Sequence, residues 1–266
     1  MAKPRRWAAI SCTHCPFECK EAQKHLLDSL AKAGDHYGTL TDFVMLGDLF
    51  EAAAGSVHPD EYEHTLFDEY EAAANYLEAI RSVLPDDCRL HWTLGNHCSN
   101  VIVNDSRRTN KATRRLIHWD QSPWQDIFGR WQQYPYRKPT PDDTEGALLI
   151  GQCCFTHGWQ AGVHSDQNES LQIAWALGGW SHMLFVRGHT HAPREVTQAM
   201  KNPTTPLPWY YCNAGTCGPR NPPYAHRLWT MWQPGLMWGE CQDHHRQSRF
   251  PGKCWDAHLQ LLGGGE

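Results

Sequence analysis

One pattern recurs between Trp7 and His191: a short apolar run breaks off into a polar signature. Trp7 to Ser11 ends at Cys12-Thr13-His14, Asp42 to Gly47 at Asp48, and Arg89 to Gly95 at Asn96-His97. Ala147 to Phe155 leads to His157-Gly158, and His182 to Val186 to Gly188-His189-Thr190-His191. Runs of this length have the size of buried strands, so each signature is placed on a loop at a strand's C-terminal end. Helical spacing fills the gaps. Glu18 to Ala33 carries Ala22, Leu26, Leu27 and Leu30 on one face, with Gly34 as a stop. Pro59 to Leu84 carries Leu66, Tyr70, Ala73, Leu77 and Ile80, with Pro59 suited to a first helical position. A further helix is expected at Glu169 to Leu177. Strand and helix alternating at this spacing predict an α/β layered fold.

Residues 98–146 break the rhythm with a basic helical stretch (Asp105 to Trp119), several Trp, and a Pro-rich segment from Pro135 to Pro141. They are expected to form a cap region inserted within one domain spanning 1–266. Beyond it, Trp209 to Cys212 and His226 to Trp232 read as strands of a second sheet. The Trp-rich C-terminal region, with Trp229, Trp232, Trp238 and Trp255, is expected to pack a core. The apolar share of 41% is modest, but 13 Trp, 9 Tyr and 8 Phe supply bulky core material.

A net charge of -5 and a pI near 6.4 argue against whole-molecule attraction to duplex nucleic acid. Locally, Arg107, Arg108, Lys111, Arg114 and Arg115 share one helical face. That face is either simply solvated or a seat for single-stranded nucleic acid, with Trp119, Trp124 or Trp131 as stacking partners. The run after the basic N-terminus is too short for the apolar region of a signal peptide. Nor does any run reach the roughly 18 apolar residues that a membrane span needs. The 11 Cys are odd in number and lie largely in apparent strands or beside the candidate ligands, which suits reduced thiols. A cytoplasmic protein without a membrane partner is expected.

Asp, Asn and His gathered at strand ends can hold a pair of divalent ions, which are machinery for phosphoryl transfer. By these signatures and their order, from about residue 7 to about residue 218 less the insert, the chain resembles the calcineurin-like metallophosphoesterases. The resemblance implies a layered β-sandwich flanked by helices, two divalent ions (Mn, Zn or Fe), and hydrolysis of a phosphoester substrate, preferably a diester, by a metal-bound hydroxide. One ion would take Cys12, His14, Asp48 and His191; the other would take Asp48, Asn96, His157 and His189, with Asp48 as the bridge. His97 would lie beside the phosphate as a general acid or charge stabiliser, with Asn96 helping to hold the developing charge.

Two positions depart from the family pattern. Cys12 stands where the family has Asp in its opening Asp-x-His. A metal-bound thiolate carries the same single charge but is softer, so the site should lean toward Zn or Fe and away from Mg. Cys98 stands where an acidic residue usually follows Gly-Asn-His, and a thiol is a weaker partner for orienting His97. Gly47-Asp48-Leu49-Phe50-Glu51 also lacks the Asp-Arg-Gly cluster of the Ser/Thr protein phosphatases. Cys12-x-x-Cys15 could alternatively join Cys212 and Cys217, or Cys241 and Cys254, in a structural zinc site. Irregular spacing and the lack of a second Cys-x-x-Cys weigh against that. Two other functions stay open: a nuclease on single strands, and a non-catalytic binding module whose site Cys12 and Cys98 have impaired.

Overall fold

The computed structural model describes residues 3–36, 38–52, 64–99, 118–178, 182–199, 209–219, 231–242 and 253–263. Strands β1 (Pro4–Ser11), β2 (Asp42–Leu46), β3 (Arg89–Thr93) and β4 (Gln132–Tyr134) lie parallel in one sheet. A second sheet holds β5 (Leu148–Ile150), β6 (Cys153–Thr156), β7 (Leu184–Arg187), β8 (Arg194–Gln198) and β9 (Tyr210–Asn213), in the order β5-β6-β7-β9-β8. The chain then returns to the first sheet as β10 (Gly235–Gln242), antiparallel to β1, and β11 (Trp255–Leu261), giving β11-β10-β1-β2-β3-β4.

The central strands β1, β2, β3, β6 and β7 are buried on both sides because both of their faces are covered. In β1, Trp7 and Ala9 enter the core between the sheets with Val44, Leu46, Phe155 and Val186. Ala8 and Ile10 point the other way, into a core shared with α1 (Lys20–Ala31) and α3 (Leu66–Arg81). Trp7 meets Phe155 edge-on at 4.9 Å between ring centroids. A third cluster packs α5 (Ser165–Ala176) on the outer face of the second sheet through Ile173, Ala174 and Phe185. Helix, sheet, sheet and helix stack in that order, the layered sandwich flanked by helices that the resemblance implies. No helix among the described residues is long and apolar enough to cross a membrane.

Several local expectations are revised. Ala147 to Phe155 is a hairpin, with Leu148 paired to Phe155 and Ile150 to Cys153 across a two-residue turn. Gly151 holds φ +54° there, where Gly151-Gln152 interrupts the apolar run. Helix α1 ends at Ala31, and Gly34 lies inside the one-turn helix α2 (Ala33–His36). Residues 53–63 lie outside the described residues, and α3 opens at a capping box in which Thr65 and Asp68 satisfy each other's backbone N–H groups. Of the expected strand His226 to Trp232, Met231 and Trp232 are in no strand, and residues 226–230 lie outside the described ones, as does Trp229. Trp238 and Trp255 are buried core residues.

Within 98–146, Trp119, Phe128 and Trp131 pack into the core beside α3, helped by α4 (Gln125–Phe128), and β4 extends the first sheet. The basic residues Arg107, Arg108, Lys111, Arg114 and Arg115 lie outside the described residues.

The start of β2 carries a buried charge cluster. The Asp42 carboxylate accepts hydrogen bonds from Arg5 Nε (3.0 Å), Arg89 Nη2 (3.1 Å), His91 Nε2 (3.0 Å) and Thr41 Oγ1 (2.7 Å), tying β1, β2 and β3 in register. Burial alone would raise its pKa, but His91 and Arg5 outweigh that and hold it well below the usual carboxylate range. A depressed folded pKa contributes stability that is fully present above the unfolded value of about 4 and is lost as pH falls toward the folded value. Asp42→Ala is expected to cost about 3 kcal/mol in urea unfolding at pH 7. The gap between variant and wild type should narrow on acidification below about pH 4; a gap that did not change with pH would contradict this account.

Candidate metal centre

Within each sheet the parallel strands end on the same side, and the two sheets present those ends together. Ligands in open α/β sheets gather at such ends. Cys12 and His14 follow β1, Asp48 follows β2, Asn96 and His97 follow β3, His157 follows β6, and His189 and His191 follow β7. The loops are tightly wound. Cys12, His14, His189 and His191 hold φ values of 52°, 51°, 67° and 60°. Left-handed backbone costs a non-glycine residue on the order of 1 kcal/mol and persists only where its surroundings over-determine it. The glycines of two signatures answer to close approach: a β-carbon at Gly47 would fall on the His157 ring, and one at Gly95 on the Asp48 carboxylate.

Among the described residues three groups of donors form, two of them sharing Cys12 and the third joining His14, Glu51 and His97. In the first, Cys12, His14 and His191 each offer an atom within 4.8 Å of the others, and His14 Nε2 lies 3.2 Å from His191 Nε2. In the second, Cys12, Asp48 and His157 meet the same limit. His157 Nε2 lies 3.2 Å from Asp48 Oδ2, 3.1 Å from Asn96 Oδ1 and 3.1 Å from His189 Nδ1. Every residue of the two expected ligand sets is thus brought into one neighbourhood. His97 sits at its edge, with a side chain 25% exposed and the backbone N–H bonded to Asp48 Oδ1 at 2.9 Å.

These residues suit a pair of cations. One ring nitrogen facing a carboxylate, an amide oxygen and a second ring nitrogen can satisfy only one of them with a hydrogen, whereas a divalent ion accepts all four as donors. Among the described residues, the Nδ1 of buried His191 has no hydrogen-bond partner. Thiolate, imidazole, carboxylate and amide oxygen together form a borderline donor set matched to Zn, Fe or Mn.

The electrostatics follow from this crowding. Burial pushes the Cys12 thiol up, but His191, His157 and a hydrogen bond with His14 outweigh it and hold the thiol well below its ordinary value. Asp48 is likewise lowered, against burial, by His157 and His97. Burial lowers His157, yet Asp48 and Cys12 raise it to about 10, while burial and the nearby His157 push His189 down to about 4. Two anionic donors are balanced by ring protons, and entry of a cation would displace those protons.

A surrounding layer of residues that belongs to none of the signatures supports the site. Glu51, 7% exposed, accepts from His14 Nδ1 at 2.6 Å and has its other oxygen 3.7 Å from His97 Nδ1. Its carboxylate faces both rings; the buried Cys98 thiol is pushed up by burial and by Asp48. An acidic residue three positions after Asp48, on the same turn, was the available signal. Asn213 is fully buried, and its Nδ2 reaches Gly188 O (2.9 Å), Thr190 Oγ1 (2.8 Å) and Asp166 Oδ1 (3.1 Å), fastening the His189–His191 turn. Arg187 lies 3.3 Å from both Asp166 and Glu169 and donates to Gln160 O at 2.9 Å, locking the His157 loop to α5. No local pattern marks these residues, because their partners are distant in sequence. As for the alternative zinc site, Cys15 and Cys217 pack beside the helices while Cys212 and Cys241 pack between the sheets. Among the described residues only Cys12, of all the cysteines, joins a candidate metal cluster.

No protein-family model matches the chain, and no curated protein matches it. Solved structures with a similar layout include Vps29 of Chaetomium thermophilum, at 12% identity and TM-score 0.38, covering 97% of this chain and 93% of that one. PhoD aligns at 10% identity and TM-score 0.42, covering 100% and 73%. A cold-active protein-tyrosine phosphatase of a psychrophile, Shewanella sp., aligns at 13% identity and TM-score 0.36, covering 98% and 81%. At these values the likeness is one of layout and assigns no residue a role.

The hydrogen bond from His14 Nδ1 to Glu51 presents Nε2 as the donor atom toward His191. Removing such an outer partner typically weakens metal binding about 10–100-fold. Glu51→Ala is expected to lose zinc affinity in that range in competition with a chromophoric chelator. Unchanged affinity would show that Glu51 does not support the site.

Proposed function

We propose that the chain is a dinuclear metal-dependent phosphoesterase acting on phosphodiesters. The observation that carries this reading is the meeting of both expected ligand sets, from loops after β1, β2, β3, β6 and β7, around Asp48 and His157. Cys12, His14, Asp48 and His191 would hold one ion; Asp48, Asn96, His157 and His189 would hold the other. A bound pair supplies an activated water and neutralises charge at phosphorus.

The chain's own residues do the rest. Asp48 and Cys12 contribute the negative charge that retains cations in a buried setting, and the rings of His157 and His14 are fixed through their second nitrogens by Leu46 O (3.2 Å) and Glu51 (2.6 Å). His97 is more exposed than the buried His14 and His157 and is tethered through Nδ1 to the Glu51 carbonyl, which leaves Nε2 for a substrate oxygen. Protonated, that nitrogen can donate to the leaving oxygen or to a non-bridging oxygen as charge builds there. The exposed rim takes substrate while the buried floor excludes bulk water.

Hydrolysis of bis-p-nitrophenyl phosphate by protein reconstituted with Mn or Zn tests the proposal, with Asp48→Ala and His189→Ala as comparisons. Each substitution removes a direct ligand and is expected to lower turnover by more than roughly 100-fold while the circular dichroism spectrum persists. Wild-type protein carrying two ions per chain yet inert toward diesters would overturn the enzyme reading in favour of a binding module.

A further inference from the structure

We infer that Cys12 would be a ligand to both ions, a thiolate bridge beside the Asp48 carboxylate. The inference rests on the two-ion reading above and concerns how the ions are joined.

Cys12 is common to two donor groups: with His14 and His191 on one side, and with Asp48 and His157 on the other, all within 4.8 Å. Asp48 joins only the second of these groups. Its Oδ1 receives the His97 backbone N–H at 2.9 Å, and its Oδ2 lies 3.2 Å from His157 Nε2. Sulfur has the reach for a one-atom bridge. Two bonds of about 2.3 Å to zinc span the separation of about 3.5–4 Å typical of paired ions, and a thiolate keeps enough lone pairs for both.

The thiol is also held in place as a bridging atom must be. Cys12 is fully buried, its backbone sits at φ 52°, and its carbonyl accepts Thr216 Oγ1 at 2.8 Å. The sulfur accepts the His189 backbone N–H at 3.3 Å and lies 2.8 Å from Ser11 Oγ. These contacts come from β1 itself and from the turn after β7, one in each sheet, so the sulfur lies on the seam between the two sheets.

The test is X-ray absorption at the zinc edge on the full chain loaded with zinc, with metal content measured on the same sample. A bridge predicts two zincs per chain and one sulfur neighbour per zinc. Two zincs with one sulfur for every two zincs would make the thiolate terminal, overturning the bridge while leaving the two-ion reading intact. Fewer than two zincs would overturn both. The Cys12→Asp variant, which keeps the charge, is expected to hold two zincs with no sulfur neighbour; sulfur persisting there would assign the signal to another cysteine and overturn the inference.

Discussion

Face-to-face packing of the two sheets is the constraint on which everything else in this chain depends. Trp7, Ala9, Val44 and Leu46 of the first sheet close on Phe155, Val186 and Cys212 of the second. Apolar area removed from water contributes about 25 cal/mol per Å², so this interior strongly favours one mutual placement of the sheets. That placement brings the ends of β1, β2 and β3 against those of β6 and β7. Neither sheet alone carries a complete proposed ligand set: His157, His189 and His191 come from one, and Cys12, His14, Asp48 and Asn96 from the other.

Charge is divided between the two ends of the first sheet. At the start of β2, Asp42 is saturated by Arg5, Arg89, His91 and Thr41, an arrangement that fixes strand register and leaves no room for chemistry. At the opposite end Asp48 has imidazoles for neighbours in place of guanidinium groups, and an imidazole can exchange its proton for a cation. The same residue type is thus structural at one end and available for coordination at the other because of what stands beside it.

The strained backbone of the site is held from outside. His189 and His191 sit in left-handed conformations between a fully buried Asn213, which binds the turn's carbonyl and hydroxyl, and Arg187, whose guanidinium is enclosed by Asp166 and Glu169. Burial pushes the Glu169 carboxyl up in spite of Arg187, a sign of how dry that support is. Rigid outer contacts of this kind let a turn keep two rings in converging positions.

The sequence by itself marked β1, β2, β3 and β7, the polar signatures that follow them and the residues proposed as ligands. Strand burial and loop signatures are written locally: the Trp7 to Ser11 run needs no distant partner to be recognised, and a Gly before Asp48 or Asn96 reports a close approach. What only the tertiary structure decided are relations between residues far apart in the chain. The Ala147 to Phe155 run turns back on itself because Gly151 takes a positive φ, which hydrophobicity does not encode. Strand β10 enters beside β1 from the far end of the chain. Glu51, not residue 98, faces His14 and His97, and Cys12 joins two donor groups. A ligand's type is a property of one residue, whereas what it shares and with which neighbours depends on distances that exist only once the two sheets have packed.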